Sequence, residues 1–134
     1  MSTEAGRGGF WLTAGAVNGF LAVALGAFAA HGLEDRLSQR FLSAFEKGVE
    51  YQAMHAFALL AVGLLLMLRP HARLLEWAGR LFLGGIVLFS GSLYILALSG
   101  VTFWGMVTPF GGTGFLVGWV LLGMAAWRLK PGGY

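Results

Sequence analysis

Polar residues arrive in bursts along this chain, separated by apolar runs about as long as a bilayer is thick. The first run extends from about Phe10 to Ala30 and is interrupted mainly by Asn18 and by glycines. As a helix rising ~1.5 Å per residue it just crosses a ~30 Å hydrocarbon layer. Similar runs follow at about 51–68, 81–98 and 109–129. Between the first two, Leu33, Leu37, Phe41, Phe45 and Val49 recur every four residues, with Glu34, Arg36, Arg40, Glu46 and Lys47 mostly between them. That periodicity predicts an amphipathic helix over about 33–50, lying at the membrane interface. It runs without a break into the second span at GVEYQAMH, 48–55, and so carries Tyr51, Gln52 and His55 into an apolar layer. Polar groups there need partners from other spans.

Punctuation sharpens the ends. Arg69-Pro70 stops the second span, and Thr108-Pro109 opens the fourth with a capping residue ahead of a proline at the first helical position. Residues 1–9 read as a mobile tail, and the uncharged stretch Val101 to Met106 is expected to dip into the interface. The expected fold class is all-α: an integral membrane four-helix bundle, one domain over 1–134, with an interfacial helix between spans 1 and 2. Ala27-Phe28-Ala29 has the small-residue form of a signal cleavage site. The apolar run is longer than the ~7–15 residues of a signal core and is preceded by Arg7 alone among basic residues, so the first helix is expected to be retained.

Composition agrees with a bilayer and removes several chemistries. Of 134 residues, 57% are hydrophobic and 11% charged, against about 25% charged in a soluble domain. The absence of cysteine excludes disulfides, thiolate metal sites and a cysteine nucleophile. The net charge of +3 does not point to nucleic acid, because the basic residues stand singly at span ends. They act instead as topology signals: Arg7, Arg69, Arg73, Arg80, Arg128 and Lys130 fall on one side, and Arg36, Arg40 and Lys47 on the other. By the positive-inside rule both termini are expected in the cytoplasm, and an aromatic belt is expected from Trp11, Trp77 and Trp127 inside and Trp104 outside.

Small residues predict how the helices meet. Gly15 and Gly19, then Ala22, Gly26 and Ala30, lie four apart on the first span, and Gly114 and Gly118 do so on the fourth; such faces allow close backbone approach in lipid. The expected partners are the bilayer and, through these faces, a second copy or another membrane protein. Candidate chemistry is confined to the outer half. His31, Gln52, His55, Tyr94 and Thr108 reach similar depth, with Tyr51 on the same stripe of the second helix as His55, whereas Asn18 and Ser90 lie nearer the midplane as separate interhelical bonds. Glu50 points away and can pair with Lys47. Ser90 and Ser92 can also bond back to their own helix.

Three classes of function fit these residues. A scaffold or accessory protein would use the small-residue faces. A small transporter or proton-handling protein would use the polar cluster around His55. A redox subunit would ligate haem or metal through His31 and His55, a two-residue set with no evident third ligand. No catalytic residue, metal ligand or cofactor is assigned, since no serine sits beside a base and no acidic pair lies within the bundle. The scaffold is the preferred expectation.

Four motifs carry a family resemblance: GAFAAHGL at 26–33, GVEYQAMHAFALL at 48–60, LFSGSLYILAL at 88–98 and TPFGGTGFLVGW at 108–119. They resemble, in this order and over nearly all of Phe10 to Leu129, the small inner-membrane family known as domain of unknown function 423. The resemblance implies an integral membrane protein of about four helices with a retained first helix. It carries over no catalytic residue, and it marks His31, Tyr51, Gln52, His55, Ser90, Ser92, Tyr94, Thr108 and Pro109 as motif positions.

Overall fold

The computed structural model describes residues 3–129; Lys130, one of the basic residues assigned to the cytoplasmic side, lies outside them. Helix α1 spans Thr3–Phe28 and continues through a π turn, Ala29–Leu33. Helix α2 is one element from Gln39 to Leu68, opened by Ser38, whose side chain accepts from the Phe41 N–H. Helices α3 (Arg73–Gly85) and α4 (Gly91–Ser99) are joined by a second π turn, Ile86–Ser90. A 3-10 turn, Thr102–Met106, leads into α5 (Thr108–Trp127), which has its proline in the first turn. Gly100 closes α4 with φ +73°, a left-handed conformation that costs glycine nothing.

Four helical stretches are long and apolar enough to cross a membrane: Gly6–Leu33, Gln39–Leu68, Arg73–Ser99 and Thr102–Trp127. Three boundaries differ from those expected of the sequence. Helix α1 begins at Thr3, inside the segment read as a tail, because Gly6, Gly8 and Gly9 are accommodated in the helix. No separate helix covers 33–50: the chain turns at 34–37 and α2 then carries the charged segment and the apolar span as one rod. The helix that carries the third apolar run starts at Arg73, ahead of the run expected from about Leu81, since LLEWAGR buries Leu75, Ala78 and Gly79 on one face while Trp77 and Arg80 stay exposed.

Helix α2 is the centre of the bundle. Alpha-helical residues that recur every 3.5 positions keep one seam against a neighbour, and on α1 the buried residues Gly8, Trp11, Gly15, Asn18 and Ala22 step by three and four, followed by Ala29 seven beyond Ala22. Gly8 and Gly15 bring the α1 backbone close to that of α2. A Cβ built on Gly8 would lie 3.1 Å from the Gly63 carbonyl oxygen, and one on Gly15 would lie 2.9 Å from that of Ala56. The other side of α2 presents Leu59, Val62 and Leu66 to a core with Leu75, Ala78, Phe82, Ile86 and Phe115, which fixes α3 and α5.

The glycines expected to mediate packing divide. A side chain at Gly15 or Gly118 would collide with its neighbour, and one at Gly26 or Gly114 would meet a contact at 3.4 Å. A side chain at Gly19 would meet no neighbouring helix within 4 Å of its Cβ, because the seam runs by sevens and passes through Asn18 instead. Gly63 is as close-packed as Gly15, with the Leu12 backbone nitrogen 2.8 Å from a built Cβ. Gly63→Leu is therefore expected to lower unfolding stability in detergent by about 2 kcal/mol or more through overpacking, whereas Gly19→Leu leaves it within about 0.5 kcal/mol. Equal losses at both positions would contradict the seam.

Candidate functional site

The polar side chains inside the bundle come from every span, and the π turn at Ile86–Ser90 aligns one set of them. One added residue in a helical turn rotates all later residues by about 100°, and the Gly91 N–H accordingly reaches back to the Ile86 carbonyl. Ser90, the last residue of the π turn, and Tyr94 one turn on face α2. Ser90 Oγ donates to the Gly48 carbonyl at 2.6 Å, and the Tyr94 hydroxyl donates to Gln52 Oε1, also at 2.6 Å. The absence of a side chain at Gly48 allows this approach, since a Cβ there would lie 2.7 Å from the Tyr94 ring.

From Gln52 the bonds continue to α1. Gln52 Nε2 donates to Asn18 Oδ1 at 2.9 Å, and Asn18 Nδ2 donates to the Ala14 carbonyl at 2.8 Å. Tyr94, Gln52 and Asn18 thus form one directed chain across three helices. Asn18, expected as a separate midplane bond, is its α1 terminus. Gln52 and Asn18 are 4% and 7% exposed, so their hydrogen bonds have no water to compete with.

His55 makes a second centre one turn further along α2. Its ring is stacked on Phe115 with centroids 3.5 Å apart and 8° between planes. Nδ1 lies 2.7 Å from the Tyr51 carbonyl oxygen, and Trp119 Nε1 donates to Nε2 at 3.0 Å. An indole nitrogen can only donate, so Nε2 must carry the lone pair and Nδ1 the hydrogen. Both ring nitrogens are therefore engaged, and neither offers a lone pair to a metal or a haem iron. Trp119, in the middle of α5, is absent from the candidates the sequence suggests. A tryptophan in an apolar span has an obvious reading as lipid-facing bulk, and only the α2–α5 contact discloses its donor.

The remaining candidates fall elsewhere. Tyr51 packs its ring on Phe89 at 4.5 Å between centroids. Ser92 Oγ and Thr108 Oγ1 lie 2.6 Å apart and tie α4 to the start of α5, with Ser92 also reaching the Phe89 carbonyl of its own helix. His31 is exposed on the first π turn and takes part in none of these bonds. Glu50 pairs with Lys47 at 3.3 Å, both exposed. On the opposite end Trp11 is 3% exposed and donates to Glu76 Oε2 at 3.1 Å, its ring against Gly79. Trp11 thus faces the bundle, unlike Trp77 and Trp127, which are exposed.

No buried side-chain nitrogen or oxygen among the described residues lacks a hydrogen-bond partner. No group of three His, Asp or Glu among them is placed to hold a metal ion. The buried polar arrangement therefore joins helices, each of its described side-chain atoms being used in a hydrogen bond.

This architecture has relatives. The family model for the protein of unknown function DUF423 matches residues 25–112. The chain belongs to the DUF423 family. Among DUF423 relatives, the UPF0382 membrane protein SSP2132 of Staphylococcus saprophyticus is 45% identical over 115 residues, 86% of this chain and 94% of its own. The UPF0382 inner membrane protein YgdD of Escherichia coli K12 is 44% identical over 124 residues, 92% and 94% of the two chains. YwdK of Bacillus subtilis, also a UPF0382 membrane protein, is 43% identical over 112 residues, 84% and 91%. No solved structure matches the chain. With four candidate spans and relatives named as membrane proteins, this DUF423 member is a multi-pass membrane protein.

Proposed function

We propose that the protein is a non-enzymatic scaffold or accessory protein of the bacterial inner membrane, with both termini in the cytoplasm. The observation that carries this reading is the closed state of its polar interior. Tyr94, Gln52, Asn18, His55 and Trp119 satisfy one another and the backbone, and the resulting bonds join α1, α4 and α5 to α2. A transport station needs a group that exchanges partners with its cargo. Here the chain passes through two carboxamides, which hold their protons, and His55 is stacked beneath Phe115 with both nitrogens used. The orientation rests on five described arginines at the α2–α3 and terminal end, against Arg36, Arg40 and Lys47 at the other.

The competing proton-handling reading is tested with purified protein in liposomes loaded with a pH-sensitive dye. Under an imposed proton gradient, proteoliposomes are expected to equilibrate no faster than protein-free liposomes, and Tyr94→Phe to change nothing. Faster equilibration that Tyr94→Phe or His55→Ala abolishes, in variants that remain folded, would replace the scaffold with a conducting protein. Cross-linking in native membranes then reads out the partner, either a second copy or another membrane protein.

A further inference from the structure

Three helix ends converge where α2 stops, α3 begins and α5 stops, and each bears an arginine. Arg69 follows the last residue of α2, Arg73 is the first of α3, and Arg128 follows the last of α5. Together they line a groove of about 570 Å³ whose other walls include Leu74, Leu75 and Ala125. Among the described residues no carboxylate lines it. The ion pairs among the described residues are Lys47 with Glu50 and Arg80 with Glu76, so no described acid pairs with any of the three guanidinium groups. Arg69 Nη1 donates to the carbonyl of its neighbour Leu68, at 3.2 Å. No side chain caps α3 at Ala72, which leaves the positive end of that helix dipole at the same place.

Depth and apolar lining decide what such a cationic groove accepts. It lies at the ends of spans, where Leu68 and Trp127 are exposed beside it. A soluble anion would gain nothing from the half-buried Leu74 and Leu129 of its lining, whereas a phospholipid presents a charged headgroup and an acyl chain at that level. Basic pockets between transmembrane helices favour anionic headgroups for this reason. The opposite end of the molecule has the reverse polarity, with a groove near Gly26 and Val49 lined by Glu34, Glu46 and Glu50. We propose that the groove between Arg69, Arg73 and Arg128 is a binding site for the headgroup of an anionic phospholipid, which closes the basic end of the bundle.

The full-length protein is reconstituted in nanodiscs of equal parts phosphatidylglycerol and phosphatidylcholine, extracted into mild detergent, and its retained lipids are counted by native mass spectrometry. Each arginine near an anionic headgroup contributes on the order of fivefold in partitioning. Phosphatidylglycerol is therefore expected to be retained at least about tenfold over phosphatidylcholine. The triple variant Arg69→Gln, Arg73→Gln, Arg128→Gln loses that preference, and the outer-end triple Arg36→Gln, Arg40→Gln, Lys47→Gln keeps it. If the first triple variant does not fold, Arg73→Gln and Arg128→Gln singly are each expected to reduce the preference several-fold. Excess inorganic phosphate does not displace the lipid. Equal retention of the two lipids, a preference that survives loss of the groove arginines, or equal loss in both triple variants would overturn the site. Displacement by inorganic phosphate would overturn it in favour of a soluble anion.

Discussion

Gly111→Ala is expected to unseat α5 and to cost about 3 kcal/mol of unfolding free energy, at the upper end of ordinary overpacking. A Cβ at Gly111 would run into the backbone nitrogen and Cα of Phe89, in the π turn between α3 and α4. Backbone atoms cannot rotate aside as a side chain can. The contact is reciprocal, since a Cβ on Gly85 would lie 2.5 Å from the Phe115 ring and 3.1 Å from the Gly111 carbonyl oxygen. Relief requires α5 to move outward, which draws Phe115 from His55 and Thr108 from Ser92. The neighbouring Gly112 is the control. Its built Cβ comes no closer than 3.8 Å to anything, so Gly112→Ala is expected to be neutral or to gain the ordinary helix propensity of alanine. Detergent-unfolding curves of the two variants decide the matter, and a Gly112 loss as large as that of Gly111 would show that α5 is sensitive to any added methyl.

The same pair of glycines shows what the sequence makes legible and what it does not. Four apolar runs of bilayer length, the unbroken passage of the charged segment into the second span at 48–55, and the Thr108-Pro109 opening of α5 are all local patterns, readable one residue after another, although the start of that charged helix at Gln39 is not. Helix rotation is not local. On a span that is apolar all round, nothing in composition says which face meets protein and which meets lipid. Gly15 and Gly19 share a four-residue spacing, yet only Gly15 lies on the seam with α2. Gly111 and Gly112 are adjacent and have opposite roles.

Polar residues are more informative, because each demands a partner, and Gln52 and Tyr94 are traceable to one depth. Asn18, the partner of Gln52, is not, since its depth depends on how far α1 is shifted along α2, which no local pattern records. The π turn at Ile86–Ser90 also leaves no mark in the sequence, although it sets which way Ser90 and Tyr94 face. His31 shows the converse case. Its depth is compatible with the cluster, but a residue at a helix end can face outward, and it does.

The second large effect is expected at His55. His55→Ala removes a ring that is 1% exposed, stacked on Phe115 and tilted by 50° against Phe82. Deleting a buried aromatic ring costs about 3–5 kcal/mol in transfer and cavity terms, and here the Trp119 N–H loses its acceptor as well. His55→Phe separates the two contributions. It keeps the ring and most of the packing while removing both hydrogen bonds, so its loss is expected at about 1–2 kcal/mol. Trp119→Phe alone is expected to cost about 1 kcal/mol, in the range of interhelical bonds in lipid. A double-mutant cycle of Trp119→Phe with His55→Phe is then expected to show a coupling of about 1 kcal/mol, because either change already breaks the same bond. Strict additivity would mean that the indole and the imidazole do not engage. A scaffold requires the coupling to be structural, so His55→Phe is expected to weaken unfolding resistance without introducing or abolishing any proton flux in liposomes. That combination ties the most buried histidine of the bundle to holding α5 on α2, which is what an assembly surface built from four thin helices needs.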